Sequence, residues 1–544
     1  MRPSKAGAWP VSVRCGPRPI SPRSRPRATR PSTPSTPSNG VTEMPEQFLH
    51  GVEIVEIDDG PRPISTVRSS VIGLIGTAPN AQTAATASLV TGDVAAATAI
   101  TWTAKAAGAA GNAIAVKITV PSAADATLAV SRVGTTIHVS LATDEEGLVA
   151  SSAAEVITAV TAHTGAAALL TAVAAYDPED PPGLVAPNVK PAFLAGGRDA
   201  AFSLNTPVLC TRRTEAATLG EGGTLPAALE GIWDQAGAWV VVVRVDEAQT
   251  PEATLGYVLG NGTNRTGVHA FLNAESVCHV VPRILIAPGF THQQAAVAEM
   301  VGIAERLRAV IVADGPNTTD AAAITYRGNF GSDRVYLVDP QVTIWDTAAN
   351  GEAAAPASAR VAGIIAKSDN ERGFWWSPSN REMNGIVGTA RAVDFELGDA
   401  LSRANYLNEN EVATIIRKDG YRLWGNRSCS ADPKWAFLCV RRTADMIHES
   451  LLRAHLWAVD RGITKTYFED VKEGVDNYLS HLVKVGAILG GKCWVDAELN
   501  TPDQIEQGKA YWDFDFTPVY PAEHITFRSH LVNDYLVEIL PQAA

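Results

Sequence analysis

Between residues 204 and 345 short apolar runs recur at regular intervals, separated by stretches of helical periodicity, and this alternation limits the fold more than any other feature. The runs are Pro207–Thr211, Trp239–Val245, Arg283–Ala287, Ala309–Ala313 and Arg334–Asp339. Between them helices are predicted near Leu225–Gln235, Thr291–Leu307 and Thr319–Arg327. A strand that is apolar on both faces must be covered on both, and parallel strands need crossover connections. The pattern therefore predicts βαβ units and a sheet packed between helices, an α/β core. Thr291 is the expected N-cap of the Ala-rich helix QQAAVAEMVGIAERL.

The flanking regions read differently. EQFLHGVEIVEI (46–57) is a predicted strand stopped by Asp58-Asp59-Gly60-Pro61, and SVIGLIG (70–76) a second. From residue 80 to about 195 Ala, Thr and Gly dominate. Alternating stretches at Ile114–Val120, Thr127–Val133 and Thr136–Ala142, then a helical run over Ser151–Ala175 and the linker DPEDPPG, predict an inserted, mainly-β domain. Beyond about 390 the pattern is α+β, with long helices over 435–461 and 464–485. The second carries Phe468, Val471, Val475, Leu479 and Val483 as a core-facing stripe. Strand-like stretches follow at Phe514–Tyr520, Ile525–Ser529 and Asn533–Leu540. The expected organisation is a leader (1–43), an arm with the first core strands (44–79), the insertion (80–195), the α/β domain (196–390) and a C-terminal domain ending in an arm (391–544).

Composition narrows the function. In 544 residues, 46% are hydrophobic and 19% charged, which suits a folded chain, and the formal net charge of −13 argues against general affinity for nucleic acid or anionic lipid. Residues 1–43 hold eight basic side chains, one acidic side chain and nine prolines. The remainder, with 37 basic against 57 acidic side chains, is more acidic still. The Pro-rich leader is expected to be disordered, and Met44 is the expected start of translation. Six scattered cysteines without a Cys-x-x-Cys pair suggest neither a disulfide framework nor a zinc site. No run has the apolarity of a membrane span, so membrane insertion is not expected.

No catalytic constellation emerges. There is no GxxxxGK[ST] loop and no GxSxG, and GNGTNRTG (260–267) reads as a surface turn. His448-Glu449 is followed by a histidine only at His455, two helical turns or roughly 10 Å away, too far to share an ion. Asp513 and Asp515 alternate with Phe514 and Phe516 as in a strand with one wet and one packed face. Trp375 and Trp376 are expected at a domain or subunit interface. No cofactor, metal or catalytic residue is expected.

The ends of the folded region carry more information. Each is a short strand rich in Val, Ile and Leu with no hairpin partner beside it, and a tethered strand can pair with a sheet edge of another molecule. FLHGVEIVEIDDGPRPISTVRSSVIGLIGTAP (48–79), SDRVYLVDPQV (332–342), ARVAGIIAKSDNERGFWWSPSNREMNGIVG (359–388) and LVNDYLVEIL (531–540) resemble the contractile tail sheath proteins of myophages and R-type tailocins. The resemblance covers about 44–79 and 196–544; residues 80–195 are similar to variable outer insertions of such sheaths.

The resemblance implies a subtilisin-like middle domain without catalytic residues and a structural protein, not an enzyme. It implies a helical homopolymer around a tail tube, contracting to drive the tube through the host envelope, in a virion tail or tailocin particle assembled in the bacterial cytoplasm. Implied partners are further copies of the chain, the tube protein, and baseplate and tail terminator proteins, with no direct nucleic-acid contact. The implied inter-subunit residues are Phe48, Val52, Ile54, Val55 and Ile57 in one arm and Tyr535, Leu536, Val537, Ile539 and Leu540 in the other. Lys472, Glu473, Asp476 and Lys484 are the candidate tube contacts. The rival readings are an α/β hydrolase-like enzyme and a monomeric glycan-binding surface protein.

Overall fold

The computed structural model describes residues 64–188, 190–347 and 349–535. The arm at Phe48–Ile57 and the residues Leu536, Val537, Ile539 and Leu540 lie outside the described residues. Among those described, the largest element is a nine-stranded mixed sheet built from β1 (Ile72–Thr77), β2 (Val208–Cys210), β3 (Val240–Val245), β4 (Ile284–Ile286), β5 (Val310–Asp314), β6 (Val335–Val338), β7 (Arg381–Glu382), β8 (Val412–Arg417) and β9 (Tyr421–Trp424). Their spatial order is β7-β9-β8-β6-β5-β4-β1-β3-β2. The six central strands, β8 to β3 in that order, are parallel; β2 and β9 run against them, and β7 at the margin pairs antiparallel with β9.

Side chains leave a strand alternately to its two faces, so a sheet buried on both sides feeds two cores. Ile72, Leu74, Val240, Val242, Ile284, Val310 and Tyr336 point into one, filled from α1 (Leu225–Trp233) by Leu225, Leu229 and Ile232 and from α3 (Ser358–Arg372) by Val361, Ile364 and Ile365. Val71, Ile75, Val241, Val243, Leu285, Ile311 and Leu337 point into the other, filled from α2 (Gln294–Leu307) by Val297, Met300 and Ile303. Gly73 of β1 is required by this packing, because a Cβ there would lie 2.7 Å from Leu285 Cδ2.

The predicted strands and helices of 204–345 are all present within a few residues, but Thr291 is not a helix cap. The helix starts at Gln294, and the Thr291 hydroxyl instead bonds Asp314, 3.2 Å away in the core. Thr319 does cap its helix, accepting the Ala322 N–H at 3.1 Å.

Residues 85–198 hold a hydrophobic cluster of their own around Trp102, Val116, Ile137, Val139, Val156 and Leu170. The strands Ala115–Thr119, Ala129–Val133 and Thr136–Ser140 match the alternating stretches of the sequence. The long helix expected over Ser151–Ala175 is interrupted: a helix capped by Ser152 ends at Ala162, a single turn follows, and Leu170–Ala174 is a strand paired with Ile100–Ala104. Ala is permissive, and the cross-strand partner decides the conformation where local preference is weak.

If the cluster of residues 85–198 is independent of the sheet's cores, Trp102→Ala, which removes its largest buried side chain, costs about 3–5 kcal/mol there. Amide exchange is expected to accelerate across 85–198 while β1, β3 and β5 keep their protection.

Candidate functional site

The C-terminal part is organised around α4 (Leu438–Ala454), a helix whose two long faces do different work. On one face Met446, Ile447 and Leu451 join a cluster with Val475, Tyr478, Leu479 and Leu482 of α5 (Lys465–Lys484) and with Ile488, Cys493, Phe514 and Phe516. Phe374 and Trp375 pack into the same cluster, whereas Trp376 stays half exposed beneath the Arg372 guanidinium. The expected α5 stripe is therefore right in phase, but Tyr478 and Leu482 complete it and Val483 is exposed. The helix predicted over 435–461 stops at Ala454.

The other face of α4 is charged. Arg441, Asp445, Glu449 and Arg453 recur every fourth residue, a spacing that sets them above one another on a helix. They meet residues standing just before the core strands. Arg334, ahead of β6, holds Asp445 with two bonds (2.8 and 3.2 Å), and Arg441 reaches both Asp445 (2.9 Å) and Asp333 (3.3 Å). Arg283, ahead of β4, meets Glu449 at 2.8 Å, and Arg308, ahead of β5, meets it at 3.5 Å. Arg453 joins Glu449 (2.9 Å) to Glu275 (2.8 Å). Arg442 grips Asp369 at the end of α3 and the Ser69 carbonyl. This ladder fixes α4 under the N-terminal edge of the parallel strands. Burial opposes ionisation of Glu449, but Arg283 and Arg453 outweigh it and hold the carboxyl below its ordinary range.

Beyond α5 the chain forms a two-stranded antiparallel ribbon, β10 (Ile488–Val495) with β11 (Trp512–Pro518). Asp476 of α5 ties it down, accepting the Cys493 N–H at 2.6 Å while pairing with Lys472 at 2.6 Å. Neither outer edge of the ribbon has a strand partner among the described residues. After Pro518 the chain continues without regular structure, anchored by Arg427 on Glu523 (2.8 and 2.6 Å). Ile525–Ser529 is thus no strand here; Ile525, Phe527 and Leu531 stand 68%, 92% and 99% exposed. Tyr535 is exposed, in a turn. At the other end of the described chain, Ile64 and Val67 pack on the same C-terminal cluster, and the Ser450 hydroxyl accepts the Val67 N–H at 3.1 Å. Of the candidate tube contacts, Lys472 and Asp476 are occupied with each other, and Glu473 and Lys484 are exposed.

The positions with enzyme-like chemistry are engaged structurally. Asp314, at the C-terminal end of β5, is fully enclosed and accepts the Ser358 N–H (2.8 Å) and hydroxyl (2.5 Å), so it caps α3. Burial raises its pKa and those hydrogen bonds counter the rise. Burial likewise pushes the thiols of Cys210, Cys439 and Cys493 up to about 11 and that of Cys429 to about 12, far from a reactive thiolate. His448 packs edge-on against both Phe514 and Phe516, and burial lowers its pKa. GNGTNRTG is the turn between the helix ending at Leu259 and the 3-10 helix starting at Gly267.

Residues 263–429 match the phage tail sheath protein central domain and residues 430–531 the phage tail sheath C-terminal domain. The chain is 47% identical over 351 residues to a putative prophage major tail sheath protein of Pseudomonas aeruginosa (strain UCBPP-PA14), covering 64% of this chain and 91% of the relative. It is 31% identical over 517 residues to the tail sheath protein of Burkholderia phage BcepMu, covering 91% of this chain and 99% of the phage protein. Among solved structures it is similar to a chain of the anti-feeding prophage baseplate in the contracted state (TM-score 0.51, 18% identity, 61% of this chain and 90% of the other), a likeness of fold.

The chain belongs to the phage tail sheath family. It is a contractile tail sheath structural protein, not an enzyme, and a component of a phage tail or contractile injection particle.

Two outcomes follow from the ladder. Asp445→Ala leaves Arg334 buried without a counter-charge and Arg441 with Asp333 alone, and is expected to cost about 3–5 kcal/mol in denaturant unfolding; a loss below about 1 kcal/mol, typical of an exposed pair, would contradict its role. Because the Glu449 pKa is depressed by folding, its contribution is complete above the ordinary glutamate range and disappears as pH falls through the folded value. Thermal melts across acid pH should accordingly be flatter for Glu449→Gln than for the unaltered chain.

Proposed function

We propose that this chain polymerises as a helical sheath around a tail tube by strand exchange, with the arm at Phe48–Ile57 and the arm at Tyr535–Leu540 pairing with β10–β11 ribbons of neighbouring subunits. The observation that carries this reading is the ribbon itself. Two strands alone are marginal, and neither outer edge has a strand partner among the described residues. After them the chain continues without regular structure, and Ile525, Phe527 and Leu531 are exposed in it. The first described residues, Ile64 and Val67, pack on the same cluster as the ribbon.

In this reading the middle domain is subtilisin-like in architecture and serves as a rigid body, which its parallel sheet between two helical layers supports. The division of the chain follows the organisation expected from sequence, with residues 80–195 as an outer insertion that has a core of its own. The outer face of α5, with Glu473 and Lys484 exposed and Lys472 and Asp476 behind them, faces the tube. Further copies, the tube protein, and baseplate and tail terminator proteins are the partners. The sheath assembles in an extended, metastable state and shortens by rigid-body rearrangement when the baseplate releases it. Energy stored at assembly makes a nucleotide unnecessary.

Negative-stain microscopy of the chain expressed from Met44, with and without the residues from Asn533 onward, tests the joint. Striated tubes are expected from the longer chain and none from the truncated one; equal polymerisation of both would overturn strand donation by the C-terminal arm.

A further inference from the structure

Residues 85–198 leave the core and return to it through two linkers, 78–84 and 199–207, and both linkers meet the same charged side chain. Among the six residues of β3, VVVVRV, Arg244 is the only one with a charge. It stands near the C-terminal end of the strand, beside Gly76 of β1. Its Nε donates to the Phe202 carbonyl of the return linker at 2.8 Å, and its Nη1 donates to the Ala78 carbonyl of the outgoing linker at 3.1 Å. The Arg244 carbonyl in turn accepts the Asn205 N–H at 2.8 Å.

Neither linker is a loose tether. Ala78, Ala81 and Phe202 are buried in the core that β1 and β3 share with α1. The Ala201 N–H bonds the Gln82 carbonyl at 3.4 Å, which joins one linker to the other. Where they enter the insertion, Ala85 and Arg198 exchange two main-chain bonds of 2.9 and 3.2 Å. Asp199 accepts the Ala109 N–H at 3.0 Å, and Asn112 exchanges two bonds of 2.8 Å with Gly197. The linkers therefore leave the insertion as a pair, and Arg244 grips that pair from the core.

Apolar burial keeps the linkers on the sheet, but it is non-directional. A guanidinium is planar and its donors form a fixed fork, so carbonyls bonded to Nε and Nη1 are held at one spacing and in one direction. Other bonds act on one linker at a time. The Asn80 side chain donates to the Glu221 carbonyl (2.6 Å) and the Gln82 N–H to the Thr218 carbonyl (2.7 Å), both on the outgoing side. Asn205 Oδ1 accepts the Gly267 N–H (2.8 Å) on the return side. We propose that Arg244 is a positioning residue for the insertion, a clasp on both linkers that makes residues 85–198 turn with the core sheet as one body. The clasp lies within one subunit and uses neither the arms nor the ribbon.

Spin-label distances in the full chain test it. Thr135→Cys in the insertion and Gly302→Cys on α2 place labels at two exposed positions, and a Cβ at Gly302 meets nothing within 4 Å. Cys15→Ser and Cys278→Ser leave only buried native thiols. An excess of unlabelled chain confines the reading to distances within a subunit. With Arg244 intact, one narrow distance distribution is expected. Arg244→Met removes the donors and is expected to lose that narrow peak while β1 and β5 keep their protection from amide exchange. Arg244→Lys, a single point donor in place of the fork, is expected to fall between. A broad distribution with Arg244 intact, or an equally narrow one in Arg244→Met, would overturn the clasp. Loss of protection in β1 and β3 in both variants would assign Arg244 to the sheet and overturn it as well.

Discussion

Asp445 and Glu449 face the ends of the core strands in a place that water scarcely reaches, and there a carboxylate needs counter-charge. Arg334, Arg283 and Arg308 supply it from three successive strand entrances. Such pairs contribute little net stability, because desolvation consumes most of the attraction. Their value lies in geometry: a four-residue charge repeat matches the strand entrances in one alignment, and a shift of the helix would strand several charges at once. The apolar face of the same helix could slide more easily against α5, so the ladder is what locks the C-terminal unit to the α/β core.

That lock suits the rigid-body rearrangement proposed for the sheath. With the ribbon and the sheet held in one frame, a rotation of the core is transmitted to the ribbon, and through the proposed donated strands to the next subunit. Main-chain hydrogen bonds suit such a joint, because they depend little on side-chain identity and persist while subunit orientations change.

Much of the core was legible because its signal is local. Runs such as Val240–Val245 admit few structures other than a strand covered on both faces, and Thr319 and Thr464 mark their helix starts by the side-chain bond they make. The ladder was not legible. Nothing in the spacing of Arg441, Asp445, Glu449 and Arg453 names their partners, which lie 108 residues or more away for Asp333 and Arg334. Thr291 misled for a similar reason: its hydroxyl had a tertiary partner in Asp314 that outweighs a cap. Within 151–175 Ala-rich composition favoured one helix, and only pairing with Ile100–Ala104 made Leu170–Ala174 a strand. The terminal arms are an expectation from strand-like sequence without a neighbouring partner, and Phe48–Ile57 and the residues from Leu536 onward lie outside the described residues.

The most direct test of the account is a helical reconstruction of assembled tubes at a resolution that separates strands. The account predicts that the β10–β11 ribbon of every subunit gains strands at its outer edges, traceable to Phe48–Ile57 of one neighbour and Tyr535–Leu540 of another. A ribbon that stays two-stranded in the tube, with subunits joined through side-chain surfaces alone, would contradict it.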